Sequence, residues 1–169
     1  MKTVLMAVVV LFCTACSTGG HDRHAPSKAV ANSALAAYDG FFKAFRSDNH
    51  EEVVSLFAPE GQFQFYGTAS TEVVTSTDGV RKYFVAALTS TRGETKATLF
   101  ERQALALSDS VVLISGKWQS ERTQDGKMVT AGPSRNTVVL QKLGDKWLIT
   151  QFHNSPVPKP APAPKPAPK

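Results

Sequence analysis

From Thr95 to Ser155 the sequence alternates with period two and is interrupted only by short turn-forming clusters. That pattern confines the second half of the chain to antiparallel strands. Strands are predicted at about 95–107, 110–122, 128–142 and 146–155, joined by Ser108-Asp109, Asp125-Gly126 and Leu143-Gly144-Asp145. Asp-Gly between alternating strands is among the strongest hairpin signals, because a tight turn needs residues that tolerate positive φ. The first half reads differently. Val30, Ala34, Ala37, Phe41, Ala44 and Phe45 fall at three- and four-residue steps and make an amphipathic helix, to which Tyr38 and Phe42 add a second apolar stripe. Asn49 and Glu52 form a capping box for a short second helix running through Phe57, which Pro59 and Gly61 break. Phe63, Phe65 and Tyr66 make a brief strand, and Asp78 can cap a third helix containing Val80, Tyr83, Phe84, Ala87 and Leu88. Helices followed by a meander give an α+β fold, a curved antiparallel sheet wrapped around a long N-terminal helix.

Residues 1–15 read as a signal peptide: Lys2, an apolar run from Val4 to Phe12, then small residues up to Cys16. The run is far short of the ~20 residues a spanning helix needs. Two cleavages compete. Lipoprotein processing makes Cys16 the lipidated first residue and a membrane anchor, whereas ordinary secretion leaves no lipid. Either cleavage predicts export to the bacterial periplasm; the remaining alternative is a merely buried N-terminal helix. Ser17 lacks the aspartate linked to inner-membrane retention, which favours an outer-membrane lipoprotein. Residues 16–28 are a polar spacer, 29–158 a single domain, and 159–169 a Pro/Ala/Lys-rich disordered tail of extended type. Cys13 lies in the signal and Cys16 at its processing site, so the domain at 29–158 has neither a disulfide nor a thiol nucleophile. The formal charge of +5 comes from the ends. Between 29 and 157 there are 13 Lys plus Arg and 13 Asp plus Glu, and a nucleic-acid partner loses its electrostatic support.

Taken at face value, the turns set the registers. A two-residue turn at Asp125-Gly126 pairs Arg122 with Val129, Gly116 with Arg135, Ile114 with Thr137 and Val112 with Val139. A three-residue loop at 143–145 pairs Gln141 with Trp147, Val139 with Ile149 and Arg135 with His153. A two-residue turn at Ser108-Asp109 pairs Leu105 with Val112 and Glu101 with Gly116. One sheet face then collects Leu105, Val112, Ile114, Val139, Trp147 and Ile149 with Trp118, and beside them Glu101, Arg135, Thr137, Gln151 and His153. The polar group on an apolar floor suggests a pocket whose ligand is a small organic acid, since guanidinium holds a carboxylate bidentately. Each member has a plainer explanation. Arg135 can be the buried ion-pair partner of Glu101, His153 a satisfied strand-end histidine, and Trp118 and Trp147 core. An isomerase- or cyclase-type site would need Glu101 as base with Tyr66 or Tyr38 as donor. No metal or cofactor is predicted: His21 and His24 lie in the spacer, His50 at a helix start, and His153 has no partner at ligand spacing. No nucleophile motif is present. The opposite face carries Val111, Leu113, Val138, Leu140 and Phe152, apolar enough to predict a homodimer or higher oligomer.

The run Phe65-Tyr66-Gly67-Thr68, the helix Asp78-Gly79-Val80-Arg81-Lys82-Tyr83-Phe84, and the ending from Arg135-Asn136-Thr137 through Trp147 to His153-Asn154-Ser155-Pro156-Val157-Pro158 resemble bacterial SnoaL-like proteins of the nuclear transport factor 2-like superfamily. The chain is most similar to relatives of the calcium/calmodulin-dependent kinase II association domain, over about Ala29 to Pro158. The resemblance implies a cone-shaped α+β barrel, dimers or rings formed through the convex sheet, and a cavity holding a small ligand. It also implies Arg135 and His153 as cavity residues; Tyr66 is expected among the ligand contacts on the reading of the residues alone. Asn154 departs from the pattern, which more often has a second polar histidine or a serine context there. The superfamily hosts isomerases, cyclases, dehydratases and binders alike; the residues favour a ligand-binding or assembly module over an enzyme, with a partner-binding scaffold or inhibitor as a further alternative.

Overall fold

A computed structural model describes residues 26–47, 49–68, 73–89, 96–124 and 127–158. The signal with Cys16, most of the spacer and the tail lie outside these residues. Helix α1 (Lys28–Arg46) opens on Ser27, whose hydroxyl accepts from the Val30 N–H, and buries Ala34, Tyr38, Phe41, Phe42 and Ala44. Helix α2 (His50–Ser55) starts on the capping box: Glu52 N–H donates to Asn49 Oδ1 at 3.1 Å, and Asn49 Nδ2 donates to Glu52 Oε2 at 3.0 Å. It stops two residues before Phe57, because the chain there turns to join the sheet, with Ala58 N–H donating to the Ile149 carbonyl at 2.9 Å. Strands β1 (Gln64–Tyr66) and β2 (Val73–Val74) precede helix α3 (Thr77–Thr89). Ser76, not Asp78, caps α3: its hydroxyl accepts from Gly79 N–H at 3.1 Å, while Asp78 lies inside the first turn and pairs with Lys82 at 2.8 Å.

Strands β3 (Lys96–Ser108), β4 (Val111–Gln124), β5 (Lys127–Leu143) and β6 (Lys146–Pro156) form the meander, within two residues of the predicted bounds. The sheet order is β2-β1-β6-β5-β4-β3, with β1 parallel to β6 and the other pairs antiparallel. The sheet curves around α1, so the α+β expectation holds.

The registers are displaced by single residues. Arg122 faces Val129 as expected, but Gly132-Pro133 puts one extra residue into β5, so Trp118 meets Ser134 and Gly116 meets Asn136 instead of Arg135. The last loop is Gly144-Asp145 alone, with Gly144 at φ 63°, and Leu143 pairs with Lys146. A second irregularity at Thr150 then sets Thr137 opposite His153 and Arg135 opposite Ser155. On the other side Leu105 meets Leu113, and Glu101 meets Lys117 rather than Gly116. With a side-chain period of two, each one-residue displacement exchanges the faces.

The core face is therefore Val112, Ile114, Val138, Leu140, Ile149 and Phe152, all buried. Val138, Leu140 and Phe152, expected outside, are core. Leu105 and Val139, expected on the floor, point away from α1. Trp147 is half-buried at the edge, its Nε1 donating to Ser33 Oγ at 2.9 Å. Phenylalanines dominate the interior, with Phe41 at 5.1–5.8 Å from the rings of Phe42, Phe84 and Phe152. Edge-to-face packing of this kind adds ~0.5–1.5 kcal/mol per pair beyond area burial.

Candidate ligand cavity

The inner face of the sheet does not close completely on the helices. Between the C-terminal half of α1, helix α3 and the far ends of β4, β5 and β6 lies a cavity of about 160 Å³. Its walls come from Phe42 and Phe45 of α1, Phe84 of α3, Trp118 of β4 and Phe152 of β6. Phe42 and Phe45 lie 5.7 and 5.9 Å from Trp118, ring to ring. One corner is polar. Trp118 Nε1 donates to Asn154 Oδ1 at 3.0 Å, and Ser120 and Ser134 complete that corner. The extra residue at Gly132-Pro133 places Ser134 there: without it Pro133 would stand opposite Trp118 and Arg135 opposite Gly116. Gly132 has φ 109°, and a Cβ on it would lie 3.2 Å from Gln119 Cα, so the position requires glycine.

Below the cavity, one buried polar contact ties helix to sheet. Tyr38 donates from its hydroxyl to Asn136 Oδ1 at 2.9 Å, and Gly116 leaves the space, since a Cβ there would collide with that hydroxyl. Burial pushes the Tyr38 phenol up to about 12, against a smaller opposing effect of the Asn136 hydrogen bond. Gly116 thus makes room for Tyr38. The Nδ2 of Asn136 and Oδ1 of Asp39 are buried without a partner in the structure.

Of the sequence-predicted ligand residues, Trp118 alone lines this cavity. Glu101, Arg135, Thr137 and His153 do come together, but in a shallow depression of about 400 Å³ on the outer face of the sheet. Glu101 pairs there with Lys117 at 3.0 Å, and Arg135 Nε donates to Ser155 Oγ at 3.2 Å. The anticipated buried Arg135–Glu101 pair does not form. Arg102, opposite Gly116 on the face toward α1, pairs with Asp39 of that helix at 3.0 Å. Tyr66 approaches His153 edge-on at 5.9 Å, its hydroxyl donating to Gln64 Oε1, and Gln151 stands half-buried opposite Val139. Glu101 therefore does not face Tyr66 or Tyr38 across an apolar space, and the base–donor pair considered above is not assembled. The reason lies in the registers: Arg135 and Asn136 exchange faces, and the amide goes inside. Ser120, Ser134 and Asn154 were missed. Gly132-Pro133 within an alternating strand was the available signal, since glycine and proline there mark a bulge.

Residues 34–160 match the model of the SnoaL-like domain family. No curated protein matches the chain. Among solved structures, a Xanthomonas campestris protein described as a calcium/calmodulin dependent protein kinase II association domain superposes with TM-score 0.65 at 28% identity, covering 74% of this chain and 86% of its own. A Streptomyces avermitilis protein described as a dehydratase of the nuclear transport factor 2-like family gives 0.66 at 16% identity, covering 76% and 97%. A ketosteroid isomerase-like protein from Erwinia carotovora atroseptica gives 0.66 at 10%, covering 79% and 100%. The latter two likenesses concern the fold alone. With three quarters of its length matched and the architecture in agreement with the nuclear transport factor 2-like fold, the chain belongs to the SnoaL-like domain family.

Proposed function

We propose that this protein is an exported, lipid-anchored homodimer that binds a small ligand in its aromatic cavity without transforming it. The observation that carries this reading is the composition of the cavity wall. It is mainly aromatic, its polar groups are the neutral ones of Asn154, Ser120, Ser134, Thr68 and Tyr83, and among the described residues it contains no carboxylate, histidine, lysine or arginine. Proton abstraction needs a group of suitable pKa within hydrogen-bond reach of the substrate, and these walls offer no carboxylate or imidazole base. The outer face serves assembly in this reading. Leu105, Leu107, Leu113 and Val139 form its apolar part, and the Arg135, His153, Glu101 and Lys117 depression adds polar pairing at one end. An organic acid finds its charge complement in that depression, at Arg135 and His153, rather than in the cavity.

The competing reading is an isomerase- or dehydratase-type enzyme, favoured by the descriptions of two of the similar structures. A small apolar probe separates an open cavity from a merely imperfect core. An engineered apolar cavity of about 150 Å³ takes benzene, so toluene near saturation is expected to raise the melting temperature of the wild type. Ala131→Phe, which fills the cavity, is expected to abolish that rise while the protein still melts cooperatively. Absence of any toluene-dependent shift in the wild type would overturn the binding reading.

A further inference from the structure

We infer that the cavity selects an uncharged, single-ring aromatic carbonyl compound, whose oxygen accepts a hydrogen bond from Asn154 Nδ2. The inference rests on the cavity reading above and names the chemistry of its ligand. An indole N–H is a donor only, so the atom of Asn154 facing Trp118 must be the amide oxygen. The orientation of the amide follows from that single contact. It leaves Nδ2, with two N–H groups, at the cavity wall without a protein partner. Asn154 is 7% exposed, Ser134 7% and Ser120 5%, and neither serine side chain has a hydrogen-bond partner among the described residues. These three groups are open to the cavity, so a ligand that displaces water from them must replace the hydrogen bonds the water made. A ligand acceptor placed against Nδ2, with the two hydroxyls free to donate or accept, satisfies them together.

Charge and size narrow the class further. No cationic side chain lies among the described lining residues, so a carboxylate would shed its hydration with only neutral donors in return, at a cost neutral hydrogen bonds do not offset. The volume of about 160 Å³ is close to that of a cavity holding one benzene ring. It is well below the ~300–1,000 Å³ of drug-sized sites, which leaves fused polycyclic ligands outside. Edge-on aromatic walls at Phe42, Phe45 and Trp118 suit a flat ring.

The test is a binding panel on the purified full chain at neutral pH, read by ligand-observed NMR and by Trp fluorescence. The panel is acetophenone, benzamide, toluene, benzoate and 2-acetylnaphthalene. Acetophenone and benzamide are expected to bind at least about tenfold tighter than toluene or benzoate, a tenfold step being ~1.4 kcal/mol, and 2-acetylnaphthalene to bind no better than toluene. Asn154→Asp still accepts from Trp118 but replaces the Nδ2 donors with an acceptor, so it should remove the preference for acetophenone over toluene. Ser134→Ala should reduce it as well. Equal binding of toluene and acetophenone, or tighter binding of benzoate, overturns this inference while leaving the cavity as a binding site. Failure of every compound, toluene included, instead overturns the cavity reading itself. The wild-type panel decides the matter even if Asn154→Asp does not fold.

Discussion

Tyr38 illustrates how much one buried phenol can carry. It stands in the middle of α1, is 1% exposed, and donates to Asn136 in the space Gly116 leaves open. Its pKa is raised by burial from 10.0 to about 12, so the folded protein holds the phenolic proton more tightly than the unfolded chain does. Stability from this group is fully present below pH 10 and is lost as pH climbs through the window up to about 12. Two pKa units correspond to ~2.7 kcal/mol. Urea melts at pH 9 and pH 11 are expected to show a steeper loss for the wild type than for Tyr38→Phe. Tyr38→Phe itself should cost ~1–3 kcal/mol at pH 7, because both polar atoms of the Asn136 side chain are then buried without a partner. Equal pH slopes for the two proteins would count against this account. The exposed ion pairs matter less. Arg81 sits at 2.8 Å from Glu51 and Lys82 at 2.8 Å from Asp78, and the bonded cations hold both carboxyls below their ordinary value, but surface pairs contribute little against solvent screening.

At the scale of elements, β5 decides what the inside of the sheet looks like. Its strand is continuous from Lys127 to Leu143, yet the irregularity at Gly132-Pro133 reverses which side chains point inward on the Leu143 side of it. Ser134 and Asn136 turn inward while Arg135 turns out, which converts a would-be charged pocket into a neutral one. Gly132 holds this arrangement through a positive φ and close contact with Gln119. Gly132→Val is expected to destabilise the protein by ~1–3 kcal/mol, the range of a strained backbone position. It should also weaken toluene and acetophenone binding together, because Ser134 and Trp118 move with the bulge. Chemical denaturation and the binding panel on the same variant check both parts; an unchanged midpoint would show that the bulge tolerates a side chain.

For the whole molecule, the face of the sheet turned away from α1 is the surface that remains to be covered. Leu105 and Leu107 are 59% and 55% exposed, next to Leu113 and Val139 across β4 and β5. A second copy related by a twofold axis would bury this strip on both partners. Light scattering of the detergent-solubilised protein is expected to give a dimer mass, and Leu113→Arg a monomer that still binds toluene, since Leu113 faces away from the cavity. Cys16→Ser in the same material should release the protein from the membrane fraction without changing its mass in solution. A wild type that scatters as a monomer at micromolar concentration would rule out the assembly.

The helix of alternating three- and four-residue steps, the capping box at Asn49 and Glu52, and the strands of the meander were readable in the residues. Each of these depends on neighbours within a few positions along the chain, and so did the superfamily likeness through its local motifs. The turns at 108–109 and 143–145, by contrast, each moved by a residue, and Asp125-Gly126 lies outside the described residues. Register was different. Whether Arg135 or Asn136 faces Gly116 depends on one extra residue at Gly132-Pro133, and whether Arg135 meets His153 or Ser155 depends on a turn one residue shorter and a displacement at Thr150. Alternation along a strand reports which residues share a face but not which face is inside once a bulge intervenes. Packing of α1 and its phenylalanines against the sheet selected the side with Val138, Leu140 and Phe152, because burying those apolar groups outweighs anything the charged alternation of Glu101, Lys117 and Arg135 could contribute inside. Local pattern marks the helices, the strand at Phe65 and the four meander strands in their order, though not the short β2; that the cavity is neutral and aromatic follows only from the folded chain, because its lining joins residues far apart in the chain through bulges whose offsets add.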